Sequence, residues 1–128
     1  MNKENRLTKP QQYASVYRKG SSRASTLLVM RALPNGLTVS RFGFSVSKKV
    51  GGAVVRNHIK RLLREIIRVM PVKPARDIVF IVRPPAAADF ATLKKAVEAL
   101  LSREGLLETE AEGNSRKATQ QSNSENVQ

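Results

Sequence analysis

Four arginines and one lysine recur along AVVRNHIKRLLREIIRV (residues 53–69), and between them nearly every other position is Val, Ile or Leu. Cationic groups at this density suit one kind of chemistry, the holding of phosphate. A planar guanidinium fork meets a phosphate with two parallel hydrogen bonds, which the point charge of lysine cannot do. On a wheel of about 100° per residue with Arg56 at zero, Lys60, Arg64, Asn57, Arg68 and Arg61 fall between about 40° and 140°. Val55, Ile59, Leu62, Ile66 and Met70 fall between about 240° and 320°. The i,i+4 neighbours Arg56/Lys60, Lys60/Arg64 and Arg64/Arg68 are like charges, each mildly destabilising in an isolated helix, and only Glu65 stands near the margin. A solvated helix face usually intersperses signs, so the unbroken arc is better explained by a bound polyanion. Asn57 adds a neutral donor and acceptor. Lys48-Lys49 and Gly51-Gly52 precede the helix. The glycine pair either lets a phosphate approach the exposed N–H groups of the helix start or serves as a plain turn.

Tyr13 and Tyr17 stand at i,i+4 beside Arg6, Lys9, Arg18 and Lys19. Aromatic rings next to cations can stack unpaired bases, but the same two rings can pack on a core, and the pattern does not choose. The phenylalanines are expected in the core. Catalysis by the chain itself finds little support. His58 is the single histidine, which excludes a two-histidine ribonuclease mechanism. Glu4, Glu65, Asp77, Asp89 and Glu98 are scattered with no pair at metal-ligand spacing. No Gly-rich phosphate cradle with its lysine is present. We therefore expect no catalytic residue, no metal and no small-molecule substrate of the protein's own.

The whole-chain balance supports a polyanion. The 128 residues carry 23 Lys+Arg against 10 Asp+Glu, a net +13. Residues 104–128 are acidic on balance, so residues 1–103 alone hold a net +16. A folded body of that charge repels itself unless it meets an opposite charge. Nucleic acid is the leading partner and an anionic membrane surface the second, because an amphipathic cationic helix also fits a bilayer interface. Short connections to strands on either side argue that the helix spends its apolar face on a sheet instead. There is no cysteine, hence no disulfide, thiolate zinc site or cysteine nucleophile. The polar start Met1–Arg6 lacks the apolar region of a signal peptide, and no apolar run nears the roughly 20 residues that span a bilayer. A cytoplasmic location is expected.

The elements that must position these groups follow from periodicity and breakers. Residues 6–19 read as a helix with Leu7, Tyr13, Val16 and Tyr17 on one side and Pro10 in its first turn. Residues 26–33 are a β-rich run, Pro34-Asn35-Gly36 a hairpin signal, and 37–47 an alternating strand whose phase slips between Val39 and Phe42, implying a bulge or two strands. The basic helix is stopped by Pro71 and Pro74. Residues 77–83 form a continuous apolar run, the mark of a central strand covered on both faces. A last helix spans about 89–103, with Asp89 as N-cap and Phe90, Leu93, Val97, Leu100 and Leu101 as its stripe. Residues 108–128 offer almost nothing apolar to bury and read as a disordered polar and acidic tail. The expectation is one domain over 1–107 that binds nucleic acid, α+β in class, an α/β two-layer structure on a mixed sheet.

The stretch FGFSVSKKVGGAVVRNHIKRLLRE (42–65) resembles the signature of the bacterial ribonuclease P protein family, with its Arg-Asn-Arg core followed by Ile-Lys-Arg and another Arg. RLTKPQQYASVYRKG (6–20) is similar to the family's first helix, and RDIVFIVRPPA (76–86) to its last strand, so the resemblance covers about residues 6–103. It implies an α-β-β-β-α-β-α mixed sheet with a left-handed βαβ crossover, like a domain of ribosomal and translation-factor proteins. It implies that a catalytic RNA subunit removes the 5′ leader of precursor tRNA with Mg²⁺ used by the RNA-containing holoenzyme, while the protein binds that RNA and the leader and carries no cofactor itself. Carried over by position, Arg56, Asn57, Lys60, Arg61 and Arg64 match the motif that contacts catalytic RNA, and Lys48 and Lys49 match the basic pair before it; Arg68 extends the arc. Tyr13 and Tyr17 match the aromatic positions of the leader cleft, with Arg6 and Lys9 beside them. His58 departs from the pattern, standing where the motif usually has its second arginine. A ribosomal or RNA-assembly factor of similar fold is the alternative.

Overall fold

A computed structural model of the chain describes residues 2–84 and 89–108. After a single 3-10 turn at Lys3–Asn5 come α1 (Pro10–Lys19), β1 (Ser21–Ala24), β2 (Leu28–Pro34), β3 (Arg41–Val46), α2 (Ala53–Arg68), β4 (Arg76–Val82) and α3 (Phe90–Arg103). The four strands form one mixed sheet in the order β1-β2-β4-β3. β2 runs antiparallel to β1 and β4, whereas β3 and β4 are parallel and joined through α2.

β4 is central, as its unbroken apolar run requires, and its alternate side chains serve two cores. Ile78, Phe80 and Val82 point to one face and join Leu28, Met30 and Val46 of the sheet beneath Ile59, Leu63, Ile66 and Ile67 of α2 and Leu93, Val97, Leu100 and Leu101 of α3. Val79 turns to the other face, with Val16 of α1 and Leu7, flanked by Tyr13, Leu33 and Ile81. Each such large side chain taken fully from water is worth about 1.5–3 kcal/mol. The α2/α3 layer and the sheet match the two-layer expectation, and α1 adds a partial third layer opposite.

Several elements differ from the pattern-based expectation. α1 starts at Pro10 rather than residue 6, because the residue before a proline is barred from the α region; Lys9 is extended at φ −108° and ψ 142°. Leu7 instead lies in an extended segment whose N–H donates to the Phe42 carbonyl at 2.9 Å. Gly20-Ser21-Ser22, a plain helix stop by residue type, leads directly into an edge strand, Ser21–Ala24. Pro34-Asn35-Gly36 makes no hairpin, since β4 lies between β2 and β3. Gly36 takes a positive φ of 70°. The Asn35 side chain accepts from Leu37 N–H at 2.8 Å and donates to the Val39 carbonyl and Asp77, fixing a wide connection over 35–40. The phase slip before Phe42 is therefore loop, with neither a bulge nor a second strand. In α3 the Asp89 cap holds, accepting from Thr92 N–H at 3.2 Å, but Phe90 is 43% exposed and outside the stripe.

The packed chain continues past α3. Gly105 turns it at φ 73°. Leu106 is buried, Leu107 bridges Val72, and Glu108 N–H donates to the Pro71 carbonyl at 2.8 Å. The tail expected over 108–128 lies, beyond Glu108, outside the described residues.

Candidate nucleic-acid interface

α2 carries the charge, and its seat on the sheet decides where each cation points. The buried residues are Ile59, Leu63, Ile66 and Ile67. With Arg56 again at zero, Leu63 and Ile67 bring the stripe's centre to about 320°, so the apolar seat reaches Arg56 at its edge. Val55, placed in the stripe by periodicity, is exposed instead. The apolar stripe of α2 is buried on the sheet and α3, as its short connections to strands predict. Arg56, Lys60 and Arg64 are half-buried along the border, while Asn57, His58, Arg61 and Arg68 are exposed.

The single arc therefore resolves into parts. Arg56 donates from Nε to the Gly51 carbonyl at 3.2 Å, tying down the turn before the helix, in which Lys48 and Lys49 stand exposed. Gly51 lies close over Val55, where an added Cβ would meet its side chain at 3.0 Å, so the first glycine of the pair has a packing reason. Outward, Val54, Asn57, His58, Arg61 and Arg64 line a shallow groove of about 520 Å³. Val54 is 84% exposed there, an apolar spot among the polar groups. Arg61 Nη2 lies 3.4 Å from His58 Nδ1, so the imidazole sits inside the basic surface and touches its neighbour's guanidinium. Arg68 stands apart, paired with Glu65 at 3.1 Å on the exposed face and lining a recess with Asn2, Asn5, Phe42 and Ile67.

On the other side of the border, Lys60 and Arg64 meet Arg6, Leu7, Thr8, Tyr13, Phe42, Gly43 and Phe44 around a cavity of about 210 Å³. Tyr13 is fixed. Its hydroxyl donates to the Leu7 carbonyl at 3.3 Å, and its ring lies so close over Gly43 that a Cβ there would stand 2.6 Å from it. Burial and the neighbouring Tyr17 push the Tyr13 phenol above its ordinary value, with the Phe44 backbone N–H pulling the other way. Tyr17, one turn on, is 39% exposed, its ring centroid 6.4 Å from that of Tyr13 at 52°. Arg31 of β2 donates to the Tyr17 and Gly20 carbonyls, holding the C-terminal end of α1 on the sheet with a cation where the helix dipole favours one. Tyr13 thus belongs partly to the core, and Tyr17 is the ring free to stack.

Of the residues expected in a leader cleft, Arg6 and Tyr13 line this cavity, Tyr17 flanks it, and Lys9 is exposed at the start of α1 outside the lining. Phe44, Gly43 and Thr8 were missed. Phe44, expected in the core, does pack against it and stacks on the buried Phe80, but it is only half-buried and also lines the cavity. A short period-2 run shows which residues share a face of β3, not that β3 is an edge. Among the described residues no three of His, Asp and Glu gather closely enough to hold a metal ion. Asp77, the most buried carboxylate among the described residues, is taken by Arg41 in a two-pronged pair at 2.8 and 2.7 Å.

The family model described as Ribonuclease P matches residues 1–105. The ribonuclease P protein component of Dehalococcoides mccartyi strain CBDB1 is 46% identical over 108 residues, covering 84% of this chain and 90% of its own. That of Caldanaerobacter subterraneus subsp. tengcongensis is 45% identical over 106 residues, covering 80% and 91%. Among solved structures, the RNase P protein of Staphylococcus aureus superposes with a TM-score of 0.74 at 33% identity, covering 81% of this chain and 98% of that one. The RNase P protein from Thermotoga maritima gives 0.71 at 31% identity, covering 77% and 96%.

Proposed function

The chain belongs to the ribonuclease P protein family, and from that membership we propose how its two basic surfaces divide the work. It is the accessory protein component of a ribonucleoprotein endoribonuclease and partners the ribonuclease P RNA. The same relatives favour this over a ribosomal or assembly factor of similar fold. We assign the outer groove of α2 (Asn57, His58, Arg61, Arg64), with Arg56, Lys48 and Lys49 at its start and Arg68 at its end, to docking on that RNA. Tyr17, Tyr13, Arg6 and Lys9 then guide the single-stranded 5′ leader of precursor tRNA.

One observation carries the reading: Arg64 lines both the outer groove and the cavity beside Tyr13. A strand lying along Tyr17 and Tyr13 is thus delivered next to the surface that holds the catalytic RNA. The protein's part is electrostatic and positional. Each cation that neutralises a phosphate releases bound counterions, which lowers the cost of bringing two polyanions together. Tyr17 supplies a π-face that accepts any base, worth about 1–3 kcal/mol per stacked base. We assign the Mg²⁺ to the RNA-containing holoenzyme, where it would supply the hydrolytic chemistry, and give the protein no metal ligand. Among the described residues no helix is long and apolar enough to cross a membrane, and we place the chain in the cytoplasm with its RNA.

Reconstitution with the cognate RNA tests this. Adding the protein should increase precursor cleavage at low Mg²⁺, and an unchanged rate would sink the assignment. Tyr17→Ala should weaken binding of leader-bearing precursor by about tenfold, the worth of one base stack, and leave mature tRNA nearly unaffected. Equal weakening of both would remove Tyr17 from the leader path.

A further inference from the structure

At Glu108, where the described residues end, a backbone ladder aims the chain at α2. Lys73 N–H donates to the Leu106 carbonyl at 2.7 Å, Val72 bridges Leu107, and Glu108 N–H donates to the Pro71 carbonyl at 2.8 Å. The two segments are antiparallel. Each step forward from Glu108 therefore faces a residue further back, toward Met70, Val69 and the last turns of α2. The sequence that follows is acidic, Glu108-Thr109-Glu110-Ala111-Glu112, and the run closes at Gly113-Asn114. In an extended chain alternate side chains share one side, about 6.6–6.8 Å apart, so such a run holds its carboxylates in a single row. α2 ends in the opposite charge. Arg61 and Arg68 are exposed, Arg64 is half-buried, and the helix's single acid, Glu65, pairs with Arg68 at 3.1 Å with both side chains in solvent. An exposed pair of this kind is worth little and exchanges partners at little cost. The lengths also agree: Arg61 to Arg68 covers about 10.5 Å of helix axis, and Glu108 to Glu112 about 13 Å of extended chain.

We infer that the chain's own acidic segment, Glu108–Glu112, docks across the exposed end of α2 in the RNA-free protein, with Glu110 and Glu112 against Arg68, Arg64 and Arg61, and that RNA must displace it. The charges are complementary, and the ladder delivers the segment there, Glu110 standing two residues past the last backbone bond to Pro71. A tethered segment this short acts at an effective concentration in the millimolar range, which a separate acidic peptide in dilute solution does not match. The contact consists of a few screened ion pairs, so a polyanion that offers many phosphates at once displaces it. A short or sparsely charged polyanion gains too little to do so. The segment thereby narrows what the basic face accepts. The docking stands on the ladder and the charges, and only the competition rests on the reading that α2 meets RNA.

The chain has no cysteine, so Gly113→Cys gives the full-length protein a single position for a nitroxide label. In isotope-labelled protein without RNA, at about 20 mM salt where screening is weak, the label should broaden the amide resonances of Arg61 and Arg64, two turns from the end of α2. Glu110→Gln together with Glu112→Gln should relieve that broadening, and so should about 0.5 M NaCl, which screens exposed pairs. Broadening that survives the double substitution reports the tether alone and overturns the docking; so does broadening centred on β1 or on Lys94 and Lys95 of α3. A uridine homopolymer tests the competition. The double substitution should tighten its binding about fivefold at low salt, the worth of two exposed ion pairs. Glu98→Gln with Glu125→Gln changes the net charge equally and should give less than half that gain, and equal gains from the two double variants would overturn the competition. Adding the homopolymer should also relieve the broadening at Arg61 and Arg64. If neither the homopolymer nor the cognate RNA binds α2, the proposed function fails, while the label and the Glu→Gln pair still decide the docking.

Discussion

Arg64 is the residue on which the two surfaces meet, and its neighbours separate by what else they hold. Arg61 and Arg64 have little structural duty, so Arg61→Ala or Arg64→Ala should flatten the salt dependence of RNA binding by roughly 0.7–0.9 in log–log slope for each phosphate left without its cation. Unchanged slopes would mean a merely solvated face. Arg56 also secures the Gly51 carbonyl, so Arg56→Ala should lower stability by about 0.5–1.5 kcal/mol in addition. His58 lies within the groove beside Arg61. His58→Arg should therefore steepen the slope by about 0.7–0.9, and a slope that does not move would put this position outside the interface. Tyr13 gives a pH prediction. Its folded-state value is raised above the ordinary 10.0, so the stability it contributes is complete below that pH and lost as pH climbs through the raised value. Ultraviolet titration of the Tyr17→Phe variant should show phenolate forming above pH 10, and formation at or below it would contradict the burial of that hydroxyl.

At the scale of elements, the strand junctions carry the fold's most specific polar contacts. Asp77 at the start of β4 is almost fully buried and accepts from Arg41 of β3 and, at 2.9 Å, from Asn35. Removing one partner of a buried pair leaves an uncompensated charge, so Arg41→Ala should cost about 3 kcal/mol, read by denaturant unfolding. Ala75, between Pro74 and β4, holds a positive φ of 69° while its carbonyl accepts from Asn35 N–H at 3.0 Å. A left-handed alanine is strained, and Ala75→Gly should raise stability by about 0.5–1 kcal/mol by relieving it, net of the added chain entropy of glycine. Destabilisation by the glycine would mean that the turn is not strained in solution.

For the whole molecule, charge works against folding and for assembly. The chain's net +13 makes the free protein repel itself, and a polyanion that binds only the folded state removes that penalty while adding its own stabilisation. The midpoint of thermal unfolding of the RNA-free protein should rise by a few degrees from about 20 to 200 mM NaCl, equivalent to about 1 kcal/mol. With RNA bound the same salt should lower it, as counterion release weakens the complex. Two curves of the same sign would separate stability from RNA binding. Strands β1 and β2 carry none of the assigned RNA-docking residues, so the two functions crowd onto the β3 edge, α1 and α2.

The sequence by itself determined the helices α2 and α3, the central position of β4, the segregation of charge and the family. Each rests on a local signal: a 3.6-residue period, an uninterrupted apolar run between breakers, a one-sided arc, or a long motif in order. Local signals do not say which strands pair. Asn35-Gly36 looked like a hairpin because a turn constrains only its own residues, whereas inserting β4 between β2 and β3 depends on packing between segments some forty residues apart. That insertion makes β3 an edge, and the edge brings Phe44, Tyr13, Lys60 and Arg64 around one cavity. The wheel likewise placed the cations correctly relative to one another but left the helix's rotation on the sheet open. Burial of Leu63 and Ile67 set that rotation, and with it the division of one basic arc into an outer groove and an inner wall.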